Sequence, residues 1–194
     1  MPREIELKAK IQNSEAIKTK AARFAPFCGT FEKEDAYWHQ NVPQENSGYG
    51  VRVRREIYTD ASGKTEHKNY VTWKTKEVRD GVEFNDEKEF EISPVPVFAE
   101  FLKSLKFTQT ISKTKKGAAY KKENLTIEIT EVKNLGWFTE LEILLPDNQV
   151  NDEAAAKEKL LFILDELGVK RDAIESRPYT QLLSDNAGAD QQRV

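Results

Sequence analysis

Residues 4–11, Glu4-Ile5-Glu6-Leu7-Lys8-Ala9-Lys10-Ile11, alternate charge and hydrocarbon without a break. Successive side chains of an extended strand point to opposite faces. Glu4, Glu6, Lys8 and Lys10 therefore share one face, and Ile5, Leu7, Ala9 and Ile11 share the other. A helix would scatter both sets around its circumference, so the pattern restricts this segment to a strand with one wholly ionic face. The same alternation returns in Val51-Arg52-Val53-Arg54 and in residues 87–92, where Glu87, Glu89 and Glu91 lie together. It returns again in Thr126-Ile127-Glu128-Ile129-Thr130 and in Glu140-Leu141-Glu142-Ile143. Lys74, within Val71-Thr72-Trp73-Lys74, adds a further cation.

Helical signals separate these strands. Asn13 or Ser14 can cap a helix carrying Ile17, Ala21 and Phe24 on one side. Ser93-Pro94 reads as a second start, with Ser93 as the cap, followed by Val97, Phe98, Phe101, Leu102 and Leu105 at helical spacing. The third helix spans residues 151–167, with Asn151 as its cap, Ala156, Leu160, Ile163, Leu164 and Leu167 as its apolar stripe, and Gly168 after its last turn. Residues 41–50 read as a loop, and 59–64 as a hairpin turn before a strand over 69–76. Residues 77–86 read as a polar, mobile stretch. Strand signals at 108–115 and 119–132 are interrupted at Gly117. The 194 residues fit one domain over 1–184, followed by a frayed polar tail over 185–194.

Two architectures accommodate the alternation. An antiparallel sheet commonly packs one face on a core and offers the other to water. Alternatively, the apolar face lies under the helices and the charged face turns inward, closing a barrel with an ionic interior. Two features favour the barrel. The polar face is built almost entirely of long ionic groups, and each strand tends to one sign. The helices are already amphipathic and can cover the hydrocarbon side.

An ionic interior has a desolvation cost that a charged ligand offsets. Lys8, Arg52, Arg54, Lys74 and Lys115 suit phosphate oxygens, with arginine offering a planar fork. Side chains two apart on a strand sit roughly 7 Å apart. Glu4 with Glu6, and Glu140 with Glu142, can thus hold a hard cation such as Mg²⁺ or Mn²⁺ through oxygen. Glu89, Glu91 and Glu128 extend the acidic wall. A metal together with a polyphosphate satisfies both charge sets.

Composition excludes several other classes. Thirty Lys and Arg against 33 Asp and Glu give a net charge of −3, which argues against binding a nucleic-acid backbone. Cys28 is the single cysteine, so neither an intramolecular disulfide nor a cysteine-rich zinc site can form. His39 and His67 fall in or near expected loops and read as solvated. No apolar run approaches the roughly 20 residues of a membrane span. The charged start is not a secretory signal, and no phosphate-binding G-x-x-x-x-G-K-[ST] loop occurs. A cytoplasmic protein is the expectation.

In this order the motifs resemble those of the CYTH group, the triphosphate tunnel metalloenzymes, and among them the class IV adenylyl cyclases. Glu4-Ile5-Glu6-Leu7-Lys8 is similar to its E-x-E-x-K signature, Asp35-Ala36-Tyr37 to its D-x-Y, and Arg52-Val53-Arg54 to its R-x-R. Lys74 matches a lone lysine, Glu89-Phe90-Glu91 an acidic pair, and residues 135–142 the closing L-G-x-F-x-E-x-E. The match runs in order over about residues 3–183. The resemblance implies an α+β fold: a closed eight-stranded antiparallel tunnel with helices outside. It also implies Mg²⁺ or Mn²⁺ and a nucleoside triphosphate or inorganic polyphosphate as ligand, and a homodimer. Lys8, Arg52, Arg54, Lys74 and Lys115 would bind phosphates, and Glu4, Glu6, Glu140 and Glu142 the metal. Glu6, Lys8 and Lys74 would form the catalytic set. The implied reaction is attack of a ribose hydroxyl on ATP, giving cyclic AMP and pyrophosphate. Hydrolysis of tripolyphosphate or thiamine triphosphate, and polyphosphate binding without turnover, are the alternatives.

Three positions depart from the family pattern. Gly117 stands where a K-x-R motif starting at Lys115 has its arginine, with Lys113 and Lys116 as candidates to compensate. Glu87 replaces an arginine, and Thr130 an acid, with Glu128 and Glu131 nearby.

Overall fold

The computed structural model of the chain describes residues 3–40, 50–146 and 152–191, apart from the side chains of residues 74, 76 and 189–191. Its strands are β1 (Arg3–Lys10), β2 (Phe27–Gln40), β3 (Gly50–Asp60), β4 (Thr65–Arg79), β5 (Val82–Glu91), β6 (Phe107–Lys122), β7 (Leu125–Val132) and β8 (Gly136–Leu145). They close into an antiparallel barrel in the order β1-β5-β4-β3-β2-β6-β7-β8, with β8 returning to β1. The helices among the described residues are α1 (Ser14–Ala21), α2 (Val95–Ser104), α3 (Glu153–Leu167) and α4 (Tyr179–Gln191). The α+β tunnel expected from the alternation is therefore the fold, and the solvated-sheet alternative is not.

The hydrophobic core lies outside the barrel. Ile5, Leu7 and Ala9 of β1, Ile127 and Ile129 of β7, and Leu141 and Ile143 of β8 turn outward and pack under α3 and α1. From α3 they meet Leu160, Ile163, Leu164 and Leu167, and from α1 Ile17 and Ala21. A second cluster seats Leu102 of α2 on Trp38, Val53 and Val71. A third lies on the lumen side instead, joining Tyr179 and Leu182 of α4 to Val132 and Phe138, which share the inward face of β7 and β8 with Glu128 and Glu140. On β1, β7 and β8 the apolar residues that alternate with charge thus meet a helix, and their ionic neighbours are left for the lumen, whereas Phe90 of β5 and Trp73 of β4 stay exposed.

Local chemistry explains the element ends. The Asn13 side chain accepts a hydrogen bond from the Ala16 N–H at 3.0 Å, which starts α1. Gly168 follows α3 in the left-handed conformation, φ 77°. Asp60 accepts from the Ser62 and Lys64 backbone N–H groups and closes the β3–β4 hairpin.

Several expectations are corrected. Residues 77–86 are not a loose polar stretch: β4 runs to Arg79, and Asp80 and Gly81, both with positive φ, turn it directly into β5. Gly117 does not break a strand, because β6 is continuous and turns into β7 only after Lys122. A Cβ at position 117 would overlap the Ile129 carbonyl and crowd the Phe31 ring, so the glycine permits a close approach within the sheet. Pro94, not Ser93, occupies the cap position of α2, with no side-chain cap bond. Residues 185–191 continue α4 where a frayed tail was expected. His39, near the end of β2, and His67, near the start of β4, are exposed, in keeping with the solvated reading. The loop at 41–49 and the Asn151 cap lie outside the described residues.

If the core is outside, α3 must show it. Leu160→Ala, at a site with 0% exposure, is expected to lower unfolding free energy by about 2–5 kcal/mol. Phe162→Ala on the exposed side of the same helix is expected to change it by under about 0.5 kcal/mol. Urea denaturation of both variants checks the contrast.

Candidate active site

The lumen is a cavity of about 590 Å³. Its wall follows from strand register. On β1, Glu6 lies opposite Glu142 of β8 on one side and Glu83 of β5 on the other. Lys8 lies opposite Glu140, and its Nζ reaches Glu83 Oε1 at 3.2 Å. Burial, then the nearby Glu6, Glu128 and Glu87, push the Glu142 carboxyl up to about 7.

At the centre, Lys115 Nζ donates to Glu128 Oε2 at 2.9 Å and to both oxygens of Glu140 at 3.0 and 2.9 Å. Lys33 Nζ donates to the other Glu128 oxygen at 2.6 Å. Burial alone would raise the Glu128 carboxyl, but Lys115 and Lys33 outweigh it and hold the group below the usual carboxylate range. Burial would likewise depress the Lys115 ammonium, and Glu128 and Glu140 instead hold it above its ordinary value.

A third cluster fixes the arginine of β3. Asp35 is 2% exposed and takes a two-pronged contact from Arg54, at 2.7 Å from Nε and 3.0 Å from the terminal nitrogen. Lys113 Nζ approaches the same carboxylate at 2.9 Å. Burial would raise the Asp35 carboxyl; Lys113 and Arg54 hold it well below its ordinary value. Two strand positions away, Arg52 donates to Thr72 at 2.8 Å and to Glu87 at 2.9 Å, with Glu89 at 3.6 Å.

Residues 171–178 lead across the wall to α4. The Glu175 N–H donates to the Lys8 carbonyl at 2.9 Å, and Tyr179 then enters the lumen. Its hydroxyl donates to Glu140 Oε1 at 2.9 Å. Its ring stands 5.4 Å from Lys8 Nζ and 5.0 Å from Lys113 Nζ, and packs edge-on against Phe138 at 5.0 Å.

The structure brings Glu4, Glu6, Lys8, Arg52, Arg54, Lys115, Glu89, Glu128, Glu140 and Glu142 to one lumen. Lys74 occupies β4 opposite Glu87, and its side chain lies outside those described. Glu91 is the exception. It follows Glu89 on the same face, but the barrel ends there; its side chain is 62% exposed, with Lys68 at 3.7 Å, and it does not line the cavity. Of the two compensators for Gly117, Lys113 lines the tunnel. Lys116 points away from it, 64% exposed beside Glu131 at 3.3 Å. Glu87 is the partner of Arg52, and Thr130 is fully buried, donating to the Lys116 carbonyl at 3.3 Å. Lys33, Glu56, Glu83 and Tyr70 also line the cavity without having been singled out, and Tyr179 lines it from within the matched C-terminal segment. For Lys33 the signal was present, since Phe31, Lys33, Asp35 and Tyr37 alternate on β2, but two aromatics mask the ionic face.

Among the described lining residues, carboxylates outnumber lysines and arginines. A bare polyanion would therefore enter a tunnel with no surplus of positive charge. No three Asp, Glu, His or Cys side chains among the described residues stand together as a finished metal-ligand set. The donor chemistry nonetheless fits a hard cation. Glu4, Glu6, Glu140 and Glu142 offer only oxygen, and strand register sets Glu6 directly opposite Glu142 on the lumen wall.

A closed antiparallel tunnel with alternating acids and bases on its wall defines a class of barrel with an ionic lumen. The CYTH domain model matches residues 2–179, and the chain belongs to the CYTH domain family. A provisionally named adenylate cyclase of Methanocaldococcus jannaschii is 24% identical over 182 residues, covering 92% of this chain and 97% of that protein. The PH1819 protein of Pyrococcus horikoshii superposes with a TM-score of 0.76 at 27% identity, covering 94% and 98% of the two chains. A Hippeastrum protein with a provisional adenylyl cyclase name, described as having a dominant triphosphatase activity, shares the fold at a TM-score of 0.60 and 19% identity, with 91% of each chain covered. Among the described residues no helix is long and apolar enough to cross a membrane.

Asp35→Asn leaves two buried cations without their anion and is expected to cost about 3–5 kcal/mol, read by urea denaturation at neutral pH. The folded Asp35 carboxyl lies below the unfolded value of about 3.9. Its stabilisation is thus present above that value and is lost as pH falls towards the folded pKa. The stability difference between wild type and variant should shrink on acidification below about pH 4, in denaturation series at successive pH values.

Proposed function

We propose that this chain is a metal-dependent enzyme that cleaves a triphosphate inside the tunnel, with hydrolysis at the terminal phosphoryl group as its main reaction. One observation carries this. Lysines, arginines and carboxylates make up most of the described lumen wall, and no Asn or Gln side chain among the described residues lines it to read a base. Such a wall recognises a chain of phosphates rather than a nucleoside.

In this mechanism Arg52, Arg54, Lys8, Lys74 and Lys115 take the phosphate oxygens. Asp35 holds the Arg54 fork in place, and Thr72 and Glu87 hold Arg52. Glu4, Glu6, Glu140 and Glu142 would hold Mg²⁺ or Mn²⁺, which when bound supplies Lewis-acid polarisation of a phosphoryl oxygen. Glu6 accepts the proton of the attacking water as the new P–O bond forms at the terminal phosphorus. The bridging P–O bond breaks, and its electron pair leaves on the departing pyrophosphate. Lys8 and Lys74 stabilise the negative charge that develops there. Tyr179 restrains Glu140 by its hydrogen bond.

A second possibility is cyclisation of ATP. Tyr37 and Tyr70 also line the lumen and offer faces on which an adenine can stack, and the Methanocaldococcus relative carries a cyclase name.

Purified protein given tripolyphosphate, ATP or thiamine triphosphate, each with Mg²⁺ or Mn²⁺, decides between them. Orthophosphate from tripolyphosphate is expected, abolished by EDTA and lowered roughly 100-fold or more in Glu6→Gln. Cyclic AMP without orthophosphate would establish the cyclase instead. Tight metal-dependent binding without any product would make the protein a binder, and neither binding nor turnover would remove the triphosphate assignment.

A further inference from the structure

Lys33 has no role in the family motifs or in the mechanism above, yet it stands at the centre of the lumen. It lies opposite Lys115 of β6 on one side and Glu56 of β3 on the other. Two lysines in direct register repel unless an anion sits between them. Glu128 is that anion, with one oxygen 2.6 Å from Lys33 and the other 2.9 Å from Lys115. The Phe31 ring backs both ammonium groups, 4.3 Å from Lys33 Nζ and 5.6 Å from Lys115 Nζ. Gly117 leaves the space for that ring, since a Cβ there would crowd it. Lys115 is additionally committed to Glu140, whereas the other acidic neighbour recorded for Lys33 is Glu56, at 4.0 Å.

A carboxylate and a phosphoryl group both present two oxygens on one central atom. A pair of ammonium groups spaced to grip one is spaced to grip the other. We propose that Lys33 is a phosphate-binding residue: with Lys115 it forms a two-lysine seat for one phosphoryl group, which Glu128 occupies in the ligand-free protein. The proposal rests on the assignment of the tunnel as a triphosphate site. Glu128 is then an internal competitor as well as a wall residue. Its grip holds both lysines in place, and an incoming anion must displace it. A divalent cation, by offering the carboxylate another partner, makes that exchange easier.

The test is calorimetric binding of diimidotriphosphate, a non-hydrolysable triphosphate, with and without Mg²⁺. Lys33→Gln should weaken binding in Mg²⁺ roughly 10- to 100-fold, the loss of one charge-assisted hydrogen bond, and Lys33→Arg should restore most of it. Glu128→Gln should tighten metal-free binding, because it removes the competing charge. If Lys33→Gln does not fold, the double variant Lys33→Gln/Glu128→Gln, which leaves no carboxylate stranded at this point, should show weaker binding than Glu128→Gln alone. Wild-type-like affinity of Lys33→Gln, or of the double variant relative to Glu128→Gln, would overturn the role of Lys33 provided that Arg52→Gln loses affinity. Absence of binding by the wild type itself would instead bring down the triphosphate assignment on which this rests.

Discussion

Charge pairing across the lumen is the interaction on which the rest of this structure depends. Lys8, Asp35, Arg54, Lys113 and Lys115 are all nearly inaccessible to water. An isolated ion so placed would carry a penalty of several kcal/mol, so each must meet its opposite. Strand register supplies the meetings: Lys8 with Glu83, Lys115 with Glu128 and Glu140, and Asp35 with Arg54 and Lys113. The hydrocarbon that normally fills a small barrel is displaced to the outside, where α1, α2 and α3 cover it. The fold is thus an inverted sheet, with a dry exterior under helices and an ionic interior.

Such an interior is matched to itself before any ligand arrives. Four of the proposed phosphate-binding cations already hold a carboxylate: Lys8 with Glu83, Arg52 with Glu87, Arg54 with Asp35, Lys115 with Glu140. The excess of acids on the described wall means that an anion gains little by entering alone. An anion entering with a divalent ion changes the count, because the carboxylates can turn to the metal and release lysines and arginines to phosphate. The proposed metal dependence would then follow from the charge inventory of the wall as much as from the needs of the chemistry.

Much of this was legible in the sequence because alternation with a period of two is a direct record of which face a side chain takes. It placed Glu4, Glu6, Lys8, Arg52, Arg54, Glu140 and Glu142 on a common wall. It was less informative on β2, where Phe31 and Tyr37 interleave with Lys33 and Asp35 and make the inward face look mixed. Glu91 shows the reverse failure: periodicity assigns a face but not a height, and the barrel ends before that residue. Gly117 read as a break because glycine is common in turns, whereas here it admits an aromatic ring and a neighbouring strand. The segment carrying Tyr179 fell within the family match, but its contact with Glu140 depends on how α4 meets the barrel and not on any local pattern.

The central claim is that metal and phosphate share the inside of the barrel. Anomalous diffraction from crystals grown with Mn²⁺ and diimidotriphosphate tests it most directly. The account predicts manganese against the carboxylates of Glu4, Glu6, Glu140 and Glu142, with the phosphate chain lying between Lys8, Arg52, Arg54 and Lys115. Manganese and phosphate bound only on the outer surface, with the internal ion pairs unchanged, would contradict it.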